Sequence, residues 1–312
     1  MSINLTIITP TYNEESAISG CIDEVRRMMK EELPDFKYEH IIIDNFSLDS
    51  TAEVVQEICK NDLRVKLLVN GRNIGATRSI YRAMTFARGE WVIPMLAADL
   101  QDPVSAIPIM VSKIKPGINV VYGVRTNRQE SILMRGLRGI YYRLIRKFSE
   151  SDIPLNVGDF SLIKQEVAKS ITDLDDQYPY VRGLIAQSAS KVDYVPYVWA
   201  KRVSGKSKSK PVVLIDVAIS GMVSTTQVPA RIALILGFLT SSCGILAGLV
   251  YFALTISGIS SAPPGIPTLV ISVFTLMGIQ LFFLGLIGEY VLSIHRQVKK
   301  EPSAPIIVSE NF

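Results

Sequence analysis

Leu5-Thr-Ile-Ile-Thr-Pro-Thr-Tyr-Asn-Glu-Glu15 sets three textures side by side. A short β-branched apolar run, Leu5–Thr9, is stopped by a proline. Polar loop residues follow, and an amphipathic pattern opens at Glu15. The same unit recurs along the chain. Strands are expected at His40–Asp44, Val65–Val69, Trp91–Leu96 and Asn119–Gly123. Helical spacing covers Glu15–Glu31, Ser50–Asn61, Ala76–Ala87 and Val104–Lys113. Short, wholly apolar strands alternating with amphipathic helices specify an α/β fold, Rossmann-like, with a mostly parallel sheet covered on both faces.

In such sheets ligands bind beyond the carboxyl ends of the strands. Strand one ends in Thr9-Pro-Thr-Tyr-Asn-Glu-Glu15 and strand two in Asp44-Asn-Phe-Ser-Leu-Asp49. Strand three ends in Asn70-Gly-Arg-Asn-Ile-Gly75, strand four in Ala97-Ala-Asp-Leu-Gln-Asp102, and strand five in Arg125-Thr-Asn-Arg128. Taken singly, each is ordinary turn chemistry, with Ser47 or Asp49 capping the second helix. Together they line one polar crevice.

The last quarter of the chain has another character. Ile232 to Gly288 contains no Asp, Glu, Lys or Arg, and is broken once by a Pro/Gly/Ser turn at Ser257–Pro267. Ile232–Ile256 and Thr268–Gly288 each supply the ~20 apolar residues that cross a hydrocarbon core of roughly 30 Å. Lys201, Arg202, Lys206, Lys208 and Lys210 precede them, and His295, Arg296, Lys299 and Lys300 follow. The positive-inside rule then places both termini in the cytoplasm, as a multi-pass protein of the plasma (inner) membrane. The expected organisation is a catalytic-type domain over 1–210 and an interfacial helix over 211–230. Two spans at about 232–256 and 268–290 occupy 231–293, and a tail covers 294–312.

The net charge is +4, with basic residues concentrated between Arg125 and Lys210, which suits anionic headgroups or a phosphorylated substrate. No aromatic-rich motif or recognition helix accompanies that charge, so nucleic acid is not an expected partner. Cys21, Cys59 and Cys243 are far apart and read as reduced, buried fillers. Met1 runs directly into a strand, without the basic and apolar regions of a cleavable signal peptide.

Several of these motifs resemble the family 2 glycosyltransferases of GT-A fold: Pro10-Thr-Tyr-Asn-Glu-Glu15, Asp44 with Ser47 and Asp49, Asn73-Ile-Gly75, and Ala98-Asp-Leu-Gln-Asp-Pro103. Gly158-Asp-Phe-Ser-Leu162, Arg202-Val-Ser-Gly-Lys-Ser-Lys208 and Gly288-Glu-Tyr290 resemble the polyisoprenyl-phosphate branch, which includes dolichyl-phosphate mannose synthase and the two-helix bacterial enzymes of GtrB type. The resemblance implies inverting transfer of a sugar from a nucleotide-sugar, UDP-hexose by default, to a polyisoprenyl phosphate such as undecaprenyl phosphate. A lipid bilayer is then a partner, and a homo-oligomer is compatible with the pattern.

The resemblance also implies site roles. Pro10, Tyr12, Asn13, Glu14, Asp44, Asn45, Asn73, Gln101 and Arg202 would bind the donor. A leaving diphosphate needs its charge neutralised, and one Mg2+ or Mn2+ held by Asp99, with Gln101 or Asp102 in support, does this. Arg202 and Lys208 add positive charge. The acceptor monoester has a second pKa of about 6 and arrives largely as an oxyanion. Arg125, Arg128, Ser207 and Lys208 are the candidates for holding it, since guanidinium forks match phosphate oxygens. Asp159 matches the catalytic position, as a base or orienter at the anomeric carbon. A single displacement there inverts the configuration; nothing suggests a covalent glycosyl-enzyme. Ile132–Phe148 and Pro211–Pro229 are candidate interfacial helices.

Three positions depart from the family pattern. Ala97 stands where an acidic residue is usual, and Asn45 and Phe46 replace an Asp and a Gly after Asp44. Asn45 can still accept and also donate; Phe46 narrows the loop, packing against the base or excluding one. Ala97 and Asn45 keep open a rival reading, a catalytically silent homologue that binds lipid phosphate or nucleotide-sugar as a partner subunit. A processive polysaccharide synthase would need a Gln-x-x-Arg-Trp motif, and neither Trp91 nor Trp199 stands in one.

Overall fold

The structure, a computed structural model, describes residues 3–126, 157–176, 178–199, 239, 246, 257, 266–298 and 304–312. The chain divides into two compact units. One comprises Met1–Arg143, Ser151–Ser209 and Lys300–Phe312; the other comprises Leu144–Glu150 and Lys210–Lys299.

The first unit begins as expected. β1 (Leu5–Thr11), β2 (Tyr38–Asp44), β3 (Val65–Asn70), β4 (Trp91–Ile93) and β5 (Val120–Thr126) alternate with α1 (Glu15–Glu32), α2 (Thr51–Asn61), α3 (Ala76–Met84) and α4 (Ala106–Ser112). Then come β6 (Val157–Lys164), α5 (Gln165–Thr172), α6 (Val181–Ser188) and β7 (Val192–Val198), and after the second unit β8 (Ile306–Glu310). The eight strands form one sheet in the order β7-β5-β6-β4-β1-β2-β3-β8.

β1 pairs in parallel with β2 and β4, β2 with β3, and β5 with β7. β6 runs antiparallel between β4 and β5, and β8 antiparallel against β3. The sheet is therefore mostly parallel, as expected, with the two antiparallel strands β6 and β8 making it mixed. Every residue of β2 and β3 is buried, because helices cover both faces. Alternation along the strands assigns the faces. Ile42, Leu67 and Val69 pack with Ile18 and Ile22 of α1 and Val55 of α2. Ile41, Ile43 and Leu68 pack with Ile80 of α3, Ile171 of α5 and Ile185 of α6. Cys21 and Cys59 are buried free thiols, pushed up to about 12 and about 11 chiefly by burial.

β8 belongs to the segment read from sequence as a plain tail. Its register is held at both ends: the Gly71 amide donates to the Pro305 carbonyl at 2.7 Å, and Asn311 Nδ2 donates to the carbonyls of Cys59 at 2.9 Å and Val65 at 2.8 Å. Phe312 meets Phe86 edge-on, with ring centroids 5.3 Å apart.

In the second unit the described helix is α7, Ile266–Val298, whose Leu269, Leu276, Leu284 and Ile287 are exposed. Counted over the described residues alone, no helix is long and apolar enough to cross a membrane. The expected span at 232–256 and the helices expected at Ile132–Phe148 and Pro211–Pro229 lie outside the described residues, apart from Leu239 and Leu246.

Candidate active site

Strand directions define one functional edge. β1 to β5 and β7 end there, and the antiparallel strands β6 and β8 begin there. Two groups of polar residues stand on it.

The first group joins the loops after β1, β2 and β3. Asp44 Oδ1 accepts from Thr11 Oγ1 at 3.0 Å and from Ser47 Oγ at 2.5 Å, and its Oδ2 accepts from the Ser47 amide at 2.8 Å. Asn13, in the left-handed region at φ 55, donates its amide to Ser47 Oγ at 2.9 Å and accepts the Leu48 amide on Oδ1 at 2.8 Å. The Glu14 amide donates to Thr51 Oγ1 at 2.9 Å. Asp49 rather than Ser47 serves the second helix, accepting the Thr51 amide at 3.1 Å. Asn45 ties β2 to β3: its Nδ2 donates to Asn73 Oδ1 at 2.8 Å, and its Oδ1 accepts the Ile74 amide at 2.8 Å. Asn73 Oδ1 also accepts the Gly75 amide at 3.0 Å, where Gly75 opens α3 at φ 87. Pro10 closes the loop from inside β1, and Tyr12 is half-buried beside it.

The second group lies around β4, β5 and β6. Asp99 is buried at the turn after β4, and its Oδ1 accepts the Gln101 amide at 3.2 Å. Leu100 between them takes φ 54. Arg125 donates from Nη2 to both oxygens of Asp102, at 3.2 and 3.3 Å, and from Nε to the Tyr197 hydroxyl at 3.0 Å. Tyr197 in turn donates to Asp102 Oδ1 at 2.5 Å, and the Trp199 ring lies 5.0 Å from the Arg125 guanidinium carbon. Gly158 makes room for this arginine: a Cβ there would stand 3.0 Å from its guanidinium. Asp159 is gripped by Arg182 of α6, Nε to Oδ1 at 3.1 Å and Nη2 to Oδ2 at 3.0 Å.

Electrostatics follow from burial. Desolvation lifts the Asp102 carboxyl above its ordinary value, although Arg125 and Tyr197 oppose it. Desolvation works against the Arg125 charge, but Asp102, Tyr197 and Asp159 outweigh it and raise its pKa. Both groups feel the charge of Asp159, so the two ion pairs form one electrostatic cluster.

Asp99, Gln101, Arg125 and Asp159 thus stand on one edge with Asp44, Asn45 and Asn73. Arg125 already has a carboxylate partner, so it anchors β5 to the β4 loop as well as lining the site. Arg128, Arg202, Ser207 and Lys208 lie outside the described residues. Arg182, Tyr197 and Trp199 were not anticipated from sequence. Arg182 looks like any other residue of the basic stretch until β6 brings Asp159 beside α6.

Among the described residues no group of three or more His, Cys, Asp or Glu could hold a metal. Asp99 with Gln101 nevertheless fits a cation that arrives with its substrate. Mg2+-type ions are commonly held by one or two carboxylates while phosphate oxygens and water fill the other positions. With Ala97 nearby and Asp102 engaged by Arg125, Asp99 would be the protein's main charged ligand.

The sequence pattern of Glycosyl transferase family 2 matches residues 6–172. The prophage bactoprenol glucosyl transferase homolog of Escherichia coli K12 is 30% identical over 96% of this chain and 97% of its own. The SfII prophage-derived bactoprenol glucosyl transferase of Shigella flexneri is 31% identical, covering 96% of each chain. Among solved structures, a mannosyltransferase from Pyrobaculum calidifontis in complex with GDP-Man and Mn2+ aligns with a TM-score of 0.49 and 16% identity over 96% of this chain and 89% of that one. The edge that carries Asp44, Asp99 and Asp159 falls within the matched residues, and the chain belongs to glycosyl transferase family 2.

Proposed function

We propose that the protein is an inverting glycosyltransferase that moves a hexose from a nucleotide-sugar, UDP-hexose by default, to a polyisoprenyl phosphate of the undecaprenyl type on the cytoplasmic leaflet. The observation that carries this reading is the joining of Asp99, Asp159 and two arginines at one sheet edge, in a chain that matches bactoprenol glucosyl transferases along almost their whole length.

Each residue has a task. The stitched loops of Asn13, Asp44 and Asn45 form a preorganised donor wall. A divalent ion bound with the donor would supply charge neutralisation at the leaving diphosphate, with Asp99 and Gln101 as its protein ligands. The acceptor phosphate needs little proton removal, so Asp159 acts chiefly as an orienter at the anomeric carbon. Arg182 fixes that carboxylate, and its guanidinium is of the kind that also matches phosphate oxygens.

Chain connectivity supports a membrane setting. The chain leaves the sheet after β7 and re-enters at β8 on the same edge, which is also the edge of the site. Any membrane crossings between Lys210 and Lys299 then come in pairs, as the hairpin reading of 232–256 and 268–290 requires.

The test is transfer of radiolabelled sugar from a panel of UDP-, GDP- and dTDP-sugars onto undecaprenyl phosphate by the purified full chain with Mn2+. Turnover with one donor class supports the proposal. Nucleotide binding with no turnover on any donor would favour the silent homologue.

A further inference from the structure

Phe46 holds a backbone conformation that its side chain disfavours. It sits at φ 66, in the left-handed region, immediately after β2. Asn tolerates that region, so Asn13 at φ 55 needs no special explanation, but a bulky aromatic residue there is a true outlier. Such strain persists only where neighbouring structure fixes it, and it concentrates at ligand sites.

The neighbours do fix it. On one side Asn45 is 4% exposed and bonded to Asn73 and Ile74. On the other, Ser47 is bonded through its amide and hydroxyl to Asp44 and receives the Asn13 amide. Between these clamps the Phe46 residue is 40% exposed on the functional edge. An aromatic side chain on a strained, firmly held backbone is thus left partly in solvent rather than in the core.

Asn45 meanwhile is poorly placed to read a base. Its carbonyl oxygen accepts the Ile74 amide at 2.8 Å and also faces Asn70 Nδ2 at 3.5 Å, while one N–H of its Nδ2 is given to Asn73. An amide oxygen offers two lone pairs and both face protein donors, so what Asn45 has left for a nucleobase edge is chiefly one N–H.

We propose that Phe46 is a donor-binding residue: its ring is the stacking face for the nucleobase, while Asn45 chiefly braces the loop. The proposal rests on the nucleotide-sugar reading above and deepens it. Base–aromatic stacking tolerates base identity, because every base has a π-face. The site therefore discriminates weakly between nucleobases and selects its donor mainly through the sugar and diphosphate.

The experiment measures binding of UDP, dTDP, CDP and GDP, and of pyrophosphate as a base-free probe, to the full chain in detergent with Mn2+ present. Wild type is compared with Phe46→Gly and Phe46→Tyr, with melting temperatures recorded in parallel. The expected result has three parts. Phe46→Gly raises the melting temperature, since glycine relaxes the left-handed strain, and weakens every nucleoside diphosphate on the order of 10-fold. Pyrophosphate binding is unchanged, and Phe46→Tyr restores nucleotide affinity. Nucleotide binding by Phe46→Gly equal to wild type overturns the stacking role and leaves the donor reading standing. Equal losses for nucleotides and pyrophosphate overturn it too, by showing a general effect on the loop. If the wild type binds no nucleotide at all, the donor reading falls and the stacking role falls with it.

Discussion

Arg182 holds Asp159 through two roughly parallel bonds, Nε to Oδ1 at 3.1 Å and Nη2 to Oδ2 at 3.0 Å. The pairing is bidentate, so it fixes the orientation of the carboxylate as well as balancing its charge. Both side chains stay partly open, at 25% and 38% exposure, so substrate can reach them.

Asp159→Asn is expected to lower kcat by on the order of 10²-fold, the scale of a lost positioning contact at the reacting centre. Donor affinity should stay as in wild type. On the proposed role of Arg182 beside the acceptor phosphate, Arg182→Gln should raise the KM for the acceptor more than the KM for the donor. Steady-state kinetics with each substrate varied in turn reads both effects. Equal increases in the two KM values would instead assign Arg182 to general stability.

The Asp102–Arg125 pair is buried, with side chains 2% and 13% exposed. Breaking one partner of such a pair strands the other charge, at a cost of about 3–5 kcal/mol. Asp102→Asn is expected to destabilise the domain by that order, and Asp102→Asn combined with Arg125→Met to recover much of the loss. Chemical denaturation of the four members of the cycle measures it. Additive losses would mean that the two side chains do not depend on each other.

His40 predicts a pH dependence. It is buried in β2, its Nε2 lies 2.8 Å from Thr9 Oγ1, and its Nδ1 has no partner among the described residues. Burial, reinforced by Arg26, lowers its pKa from 6.5 to about 3. The unfolded chain therefore binds a proton between those values that the folded chain refuses. The stability this group contributes is complete above 6.5 and falls as pH drops toward 3, by at most about 1.4 kcal/mol per pH unit. Unfolding free energies from pH 7 to pH 4 should decline less steeply for His40→Gln than for wild type. Identical slopes would contradict the assignment.

The first half of the fold was legible because it is written in local pattern. The runs around Ile7, Ile42 and Leu67 are short, apolar and β-branched, and strand-end polarity followed from their direction. β6 and β8 were not legible in the same way. Phe160 and Leu162 of β6 carry no signal that they run antiparallel between β4 and β5; only the pairing of Val120 with Ile163 decides it. Ile306–Glu310 looks like an ordinary tail, and its place beside β3 depends on contacts such as Asn311 with Val65, formed across some 250 residues of chain. Within the site, Asp99 and Asp159 could be picked out by motif. Arg182 could not, because its meaning comes from β6 presenting Asp159 to a helix that sequence alone does not place there. Asn45 and Phe46 were visible as departures, but the brace formed by Asn45 and the left-handed backbone of Phe46 belong to geometry.

The most direct test of the account is sugar transfer to undecaprenyl phosphate by the full chain, before and after Asp99→Ala, with Mn2+ present or removed by chelator. Wild type is expected to transfer sugar, to lose transfer on chelation and to recover when Mn2+ is returned, whereas the Asp99 variant, its fold otherwise intact, does not recover. Transfer that survives both the chelator and the substitution would contradict that expectation.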